Sequence, residues 1–181
     1  GLEAPASWLL QLLLVAYLSL FPATFSVCLL VLYYRFGRRA LLCVPMLWVT
    51  SELGRIYLFT GFPWELLGYS QTAILPVAQF ASLFGVLGLS ALVTFINGAL
   101  TYTILTNDRH RWRVMVGAAL VVFIVAAFGA WRLHDNRLNR EGTSLRVSAI
   151  QGNVLQHEKW DPRFRDQILE KYLLLTKKAI N

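Results

Sequence analysis

The chain has 181 residues, 56% of them hydrophobic and only 15% charged, with a net charge of +7 and a mean hydropathy of +0.52. A soluble domain would be nearer a quarter charged; here the apolar residues also gather into long charge-free runs, which excludes an ordinary soluble fold and indicates a membrane protein. The arginines sit at the ends of those runs, so membrane topology accounts for the basic excess and nucleic acid is excluded as a partner.

The chain opens Gly1-Leu-Glu-Ala-Pro, without Met or a basic leader. The first apolar run therefore does not read as a signal peptide, and the sequence reads as a piece of a longer protein. Span A is expected over about residues 8–34, with Pro22 inside it and Thr24 and Ser26 placed to satisfy backbone groups that the proline frees. A loop with Arg35, Arg38 and Arg39 follows. Span B is expected over 40–59 and span C over 73–105. A second basic loop carries Arg109, Arg111 and Arg113, and span D is expected over 114–131. The positive-inside rule puts the two arginine loops in the cytoplasm. The segment between spans B and C, the N-terminus and everything after Trp131 then lie on the opposite side. Residues 132–181 hold ten Lys/Arg against six Asp/Glu, but the rule weakens for long translocated segments, so the short loops decide.

Between spans B and C lies Thr60-Gly-Phe-Pro-Trp-Glu-Leu-Leu-Gly-Tyr-Ser-Gln71. Gly61 and Pro63 rule out a continuous helix, and Phe62, Trp64 and Tyr69 are ring types that settle at a membrane–water boundary. The segment is either an anchored interfacial turn or the floor of a site for a lipid-like ligand. Span B carries Glu52 and Arg55, three residues apart and so on one helix face. An ionisable pair inside a span marks a functional site or a packing-specific ion pair. Span C is rich in small and polar residues, among them Gly85, Gly88, Ser90, Asn97 and Gly98. These let backbones approach and bond across helices, which makes span C central to a bundle.

After Trp131 the composition turns polar, and residues 133–144 read as a linker. Residues 145–151 alternate apolar and polar as far as Ala149 and predict a strand, ended by Gly152-Asn153. Asp161-Pro162 predicts a helix start, and Phe164, Ile168, Tyr172 and Leu175 give the following helix one apolar face. One strand and one helix cannot bury a core alone, so 145–181 reads as the opening of a larger α/β domain. The division is thus a bundle over 1–132, a linker over 133–144 and a partial domain over 145–181.

The residues show no catalytic constellation and no metal spacing. His110, His134 and His157 are scattered, Cys28 and Cys43 read as apolar packing residues, and Glu65 and Lys159 stand alone. No cofactor is implied.

Three blocks carry a resemblance. Glu52-Leu-Gly-Arg55 with Phe59-Thr60-Gly61-Phe62-Pro63-Trp64 and Gly68-Tyr69-Ser70-Gln71 is the first. The span C pattern of Gln79, Ala81, Gly85, Gly88, Ser90 and Asn97 is the second; Val147 to Asn153 followed by Lys159-Trp160-Asp161 is the third. Together and in this order they resemble apolipoprotein N-acyltransferases. The resemblance implies an inner-membrane enzyme that moves an acyl chain from a phospholipid, typically phosphatidylethanolamine, onto a cysteine as a thioester. The chain then passes to the α-amino group of a diacylglyceryl-cysteine on an apolipoprotein. It implies eight transmembrane helices with a periplasmic nitrilase-like αββα domain, spans A to D being the fourth to seventh. Four spans followed by the first strand and helix of that domain is thus the expected fold, with residues 133–181 periplasmic. The family's catalytic Glu, Lys and Cys match none of Glu52, Glu65, Lys159, Cys28 or Cys43, so no catalytic residue is expected here, and the piece alone is expected to be inactive. Gly61, Phe62, Pro63, Trp64 and Tyr69 are the candidate lipid entrance; Glu52 and Arg55 are the candidate orienting pair. The expected partners are the phospholipid donor, the apolipoprotein acceptor and the missing parts of its own chain. The alternatives are a transporter-like bundle, with the Gly61–Trp64 break as its site, or a catalytically inactive scaffold.

Overall fold

A computed structural model of the chain describes residues 4–58, 61–107, 109–135, 142–143 and 145–180. It is mainly helical, and no β-strand occurs among the described residues. Three helical stretches are long and apolar enough to cross a membrane: Ala4–Tyr57, Ala81–Leu105 and His110–Asp135. The chain divides into two compact units, Pro5–Arg137 and a second that contains Leu138–Asn181.

The first unit opens with α1 (Ala4–Phe36), which holds Pro22 within its length and buries no residue. Leucines around its circumference, such as Leu9, Leu12 and Leu20, stay exposed. A helix apolar on every side requires hydrocarbon or other helices around it. Thr24 Oγ1 donates to the Leu20 carbonyl and Ser26 Oγ to the Pro22 carbonyl. Contrary to the expectation that Thr24 and Ser26 satisfy the groups freed by Pro22, both hydroxyls are therefore spent on carbonyls other than that of Leu18, the acceptor four residues before the proline.

The chain turns at Gly37, whose φ is +59°, and continues as a 3₁₀ segment (Gly37–Cys43) into α2 (Val44–Tyr57). The uninterrupted span expected over 40–59 is therefore a 3₁₀ turn followed by a 14-residue α-helix. Pro45, in the first turn, sets that boundary, because its missing N–H is harmless only there. Contacts between α1 and α2 run antiparallel. Tyr17 pairs with Leu58 through a hydroxyl–carbonyl bond of 3.3 Å, Phe21 with Ser51 through a bond of 3.0 Å, and Phe25 with Trp48 through rings 5.1 Å apart.

The span expected as one element over 73–105 is also divided. A one-turn α3 (Leu75–Ala78) precedes α4 (Ala81–Leu105). Within α4, Gly85 has φ +66° and ψ −173°, which breaks the helix one turn after it starts. A Cβ at Gly85 would meet nothing within 4 Å, so backbone conformation rather than space demands glycine there. Helix α4 is central, as expected: it packs on α2, on the 3₁₀ segment before α2 and on α5 (His110–Asp135). Its small residues make the approaches. A Cβ at Gly98 would lie 3.1 Å from the Leu41 carbonyl oxygen. Asn97, expected to bond across helices, instead donates to Val93 of its own helix. Helix α5 lays Gly129 directly against the Pro76 carbonyl of α3.

In the second unit, residues 145–155 form no regular element. A strand is held by pairing with a neighbour, and none is present among the described residues. The helix expected after Asp161-Pro162 does form, as a 3₁₀ turn (Pro162–Phe164) leading into α6 (Arg165–Ile180). Asp161 caps it by accepting from the Arg163 backbone N–H at 3.0 Å. The Tyr172 ring of α6 covers Gly152.

Candidate functional site: an anchored aromatic loop over a buried polar cluster

Helix α2 ends because the chain folds back on it. Leu58 N–H donates to the Gly54 carbonyl, Gly61 N–H to the Leu58 carbonyl, and Phe62 N–H to the Arg55 carbonyl at 2.7 Å. Gly61 has φ +75°, and a side chain there would run into the Ile56 carbonyl. Glycine is thus required twice over, by conformation and by close approach. Phe59 and Thr60 lie outside the described residues.

Beyond the turn the loop is pinned at its far end. Leu66 is buried at 4% exposure. Leu67 N–H donates to Glu52 Oε1 at 2.7 Å, and Gly68 N–H donates to Ser90 Oγ at 2.9 Å. Gly68 sits directly on the Val86 carbonyl of α4. A second 3₁₀ segment (Leu67–Gln71) then leads toward α3. Glu65, between the two anchors, takes φ +54°, an unusual conformation for a residue with a side chain.

Glu52 and Arg55 both belong to this anchoring. Glu52 is 3% exposed and bonds the Leu67 amide; Arg55 Nη2 donates to the Glu65 carbonyl at 3.1 Å. Their i, i+3 spacing brings them to one face, but each reaches the loop backbone rather than the other. Glu52 Oε2, Arg55 Nε and Trp48 Nε1 are buried without a hydrogen-bond partner among protein atoms. All three residues line a cavity of about 180 Å³ between α1 and α2, below the loop.

The aromatic candidates lie on the outer side of the loop. Phe62 is half-buried, with its ring centroid 5.3 Å from that of Trp64. Trp64 is 69% exposed and Tyr69 48%; Pro63 is exposed between the two paired rings. Gly61, Phe62, Pro63 and Trp64 thus form one contiguous rim, and Tyr69 stands on the following 3₁₀ turn. Ser90 and Trp48 are the residues that sequence reasoning missed as site members. Ser90, fully buried at 0% exposure, was legible only as a small packing residue. Its position in the middle of an apolar helix was the signal that it bonds something.

The other candidates stay apart from this cluster. Cys28 is exposed on α1 and Cys43 half-buried. Lys159 lies in the second unit, its Nζ 5.9 Å from the neighbouring Trp160 ring, and His157 Nε2 is 3.9 Å from Glu158 Oε1. Among the described residues, no three His, Cys, Asp or Glu side chains gather at metal-binding distance. The arrangement can hold a loop and present aromatic surface; it offers no nucleophile beside a base.

The family model described as the apolipoprotein N-acyltransferase N-terminal domain matches residues 1–99, a range that contains the loop, Glu52, Arg55 and Ser90. Curated relatives match nearly the whole chain. An apolipoprotein N-acyltransferase from Geobacter metallireducens is 36% identical over 173 residues, 92% of this chain and 32% of the relative. One from Pasteurella multocida is 33% identical over 95% of this chain and 33% of its own length. One from Coxiella burnetii is 36% identical over 97% of this chain and 36% of its own length. The chain thus spans about a third of the length of the curated relatives it matches. No solved structure matches it. A domain match over more than half the chain, reinforced by relatives that align almost end to end with it, establishes that the chain belongs to the apolipoprotein N-acyltransferase family.

Proposed function

We propose that this chain supplies membrane-embedded architecture to an N-acyltransferase of lipoprotein maturation. In this reading the whole enzyme takes an acyl chain from a membrane phospholipid onto a cysteine thioester. It then passes the chain to the α-amino group of a diacylglyceryl-cysteine at an apolipoprotein N-terminus. Family membership carries the reading, and the relatives bear that enzyme's name. The catalytic Glu, Lys and Cys belong to residues other than those of this chain, and the chain alone is inactive.

The topology proposed has four crossings of the bacterial inner membrane. Helices α1, α4 and α5 supply three. The fourth is the end of the 3₁₀ segment after its arginines, residues 40–43, with α2: four residues at about 2.0 Å and fourteen at about 1.5 Å reach roughly 29 Å, against about 30 Å of hydrocarbon. The antiparallel side-chain contacts of α1 with α2 support this. Arg35, Arg38, Arg39, Arg109, Arg111 and Arg113 then face the cytoplasm, and residues 133–181 lie in the periplasm as the start of a nitrilase-like domain.

Within that frame, Gly61, Phe62, Pro63, Trp64 and Tyr69 form the membrane-level entrance for the phospholipid. The observation behind this is an apolar aromatic rim held outward on a loop whose backbone is fixed from below by Glu52, Arg55 and Ser90. The test is Trp64→Ala in the full-length enzyme. Loss of one aromatic contact predicts a KM for phosphatidylethanolamine raised about three- to tenfold at normal expression, with kcat little changed. An unchanged KM would leave the rim as an interfacial anchor only.

A further inference from the structure

The two arginine-bearing stretches lie at one end of the bundle. Helix α2 runs antiparallel to α1, as the Tyr17–Leu58 and Phe25–Trp48 pairs require. It runs antiparallel to α4 as well: Leu41 and Val44, at its start, lie against Gly98, whereas Gly68, beyond its end, bonds Ser90. Only residues 106–109 join α4 to α5. The end of α1, the start of the 3₁₀ segment, the end of α4 and the start of α5 therefore gather at the end opposite the aromatic loop. The first two elements bring Arg35, Arg38 and Arg39; the turn into α5 and its first residues bring Arg109, Arg111 and Arg113.

Against these six arginines the two stretches hold one acid, Asp108, which lies outside the described residues. Arg38, Arg39, Arg109 and Arg113 are exposed, and no acid among the described residues pairs with any of the six. Arg35 and Arg111 lie over the neighbouring Phe36 and Trp112 rings, at 5.7 and 5.3 Å from the centroids, and Arg111 also donates to Asn107 Oδ1 at 3.2 Å. Tyr34, Phe36 and Trp112 are exposed among the cations. Tyrosine and tryptophan settle at headgroup level, and the helices below are apolar, so the groups that face this patch are lipid headgroups.

Topology alone does not explain the choice of cation. The positive-inside effect counts lysine and arginine alike, and so does attraction to an anionic membrane surface. Yet residues 1–132 hold eight arginines and no lysine, while the four lysines of the chain all lie within 159–178. What arginine adds is a planar fork that donates two parallel hydrogen bonds to a phosphate, where lysine offers a point charge.

We infer that Arg38, Arg39, Arg109 and Arg113 form a recognition surface for the phosphate of an anionic phospholipid headgroup, with Tyr34 and Trp112 seated at the same level. The inference rests on α1, α4 and α5 crossing the membrane and not on acyl transfer. The surface lies at the opposite end from the Trp64 rim, and lipid binding there is measured apart from turnover.

The experiment is native mass spectrometry of the full-length protein in detergent, titrated with phosphatidylglycerol and, separately, with phosphatidylethanolamine. Two variants, Arg38→Lys with Arg39→Lys and Arg109→Lys with Arg113→Lys, keep the charge that sets topology and remove the forks. The expected result is a wild-type preference for phosphatidylglycerol that falls about three- to tenfold in either variant and survives an excess of inorganic phosphate. Equal retention of the two lipids by the wild type overturns the inference whatever the variants do. So does a preference unchanged in both variants, which would leave the arginines as topological charge only. Displacement of phosphatidylglycerol by inorganic phosphate also overturns it, in favour of a site for a free anion.

Discussion

If Glu52 holds the loop through the Leu67 amide, removing its carboxyl must release that amide to exchange. In Glu52→Ala the Leu67 N–H, 2.7 Å from Oε1 in the native chain, loses its partner inside the bundle. Leaving a buried donor unmade costs about 1–3 kcal/mol. If that cost is spent on local opening, hydrogen exchange at Leu67 rises about five- to 150-fold. Glu52→Gln keeps an oxygen in place and raises exchange by less than about tenfold. The assay is hydrogen–deuterium exchange by mass spectrometry on peptides covering 61–71, in the full-length protein. A charge-swapped variant, Glu52→Arg with Arg55→Glu, sharpens it. An ion pair would survive the swap, whereas the observed anchoring would not, since arginine cannot accept from Leu67 and a carboxylate cannot donate to the Glu65 carbonyl. Native exchange in Glu52→Ala, or rescue by the swap, refutes the anchoring described here.

Other outcomes follow from single contacts. Gly129→Ala drives a methyl group into the Pro76 carbonyl and should destabilise the bundle by about 1–3 kcal/mol through separation of α3 and α5; detergent unfolding measures it. Gly117→Ala, with nothing within 4 Å of the new methyl, should be neutral or stabilising by up to about 1 kcal/mol and serves as the control. Gly61→Ala should raise exchange at the Phe62 amide, because it meets both a positive φ and the Ile56 carbonyl; native protection would show that the turn adapts. In the second unit, the Arg163 side chain and then its backbone N–H hold the Asp161 carboxyl below the usual aspartate range. The cap therefore contributes fully above the ordinary aspartate pKa and is lost as pH falls through the lower folded value. A ¹³C carboxyl titration should show that low midpoint, and Arg163→Ala should move it upward; a midpoint unmoved by the substitution would refute the assignment.

The sequence announced those features that depend on neighbours along the chain. Asp161-Pro162 starts a helix because cap and fixed φ are local properties. Gly61, with its positive φ, turns the chain back on the end of α2 for an equally local reason. The break at Gly85 was hidden, since a glycine used for its φ and one used for close packing look alike in an apolar run. Pro45 did mark the start of α2, but the continuous hydropathy of residues 40–59 masked it. Pairing of residues 145–151 depends on a partner strand, and alternation cannot supply one. The Glu52–Arg55 spacing located both charges on one face correctly. What it could not reveal was that the backbone of a loop ten or more residues away, at Glu65 and Leu67, would engage both.

The antiparallel packing of α1 against α2 also bears on how the protein is made. Helix α2 is 14 residues long and carries a carboxyl and a guanidinium, each costing about 2.5–3.5 kcal/mol when inserted near the centre of a bilayer. It is a poor candidate to enter the membrane unaided. Helix α1 emerges from the ribosome first, carries no charged residue before Arg35 in its last turn and offers the Phe21 carbonyl to Ser51. Under the proposed four-crossing topology, the two would therefore leave the translocon as a preassembled hairpin, with the earlier helix acting as an intramolecular chaperone for the later one.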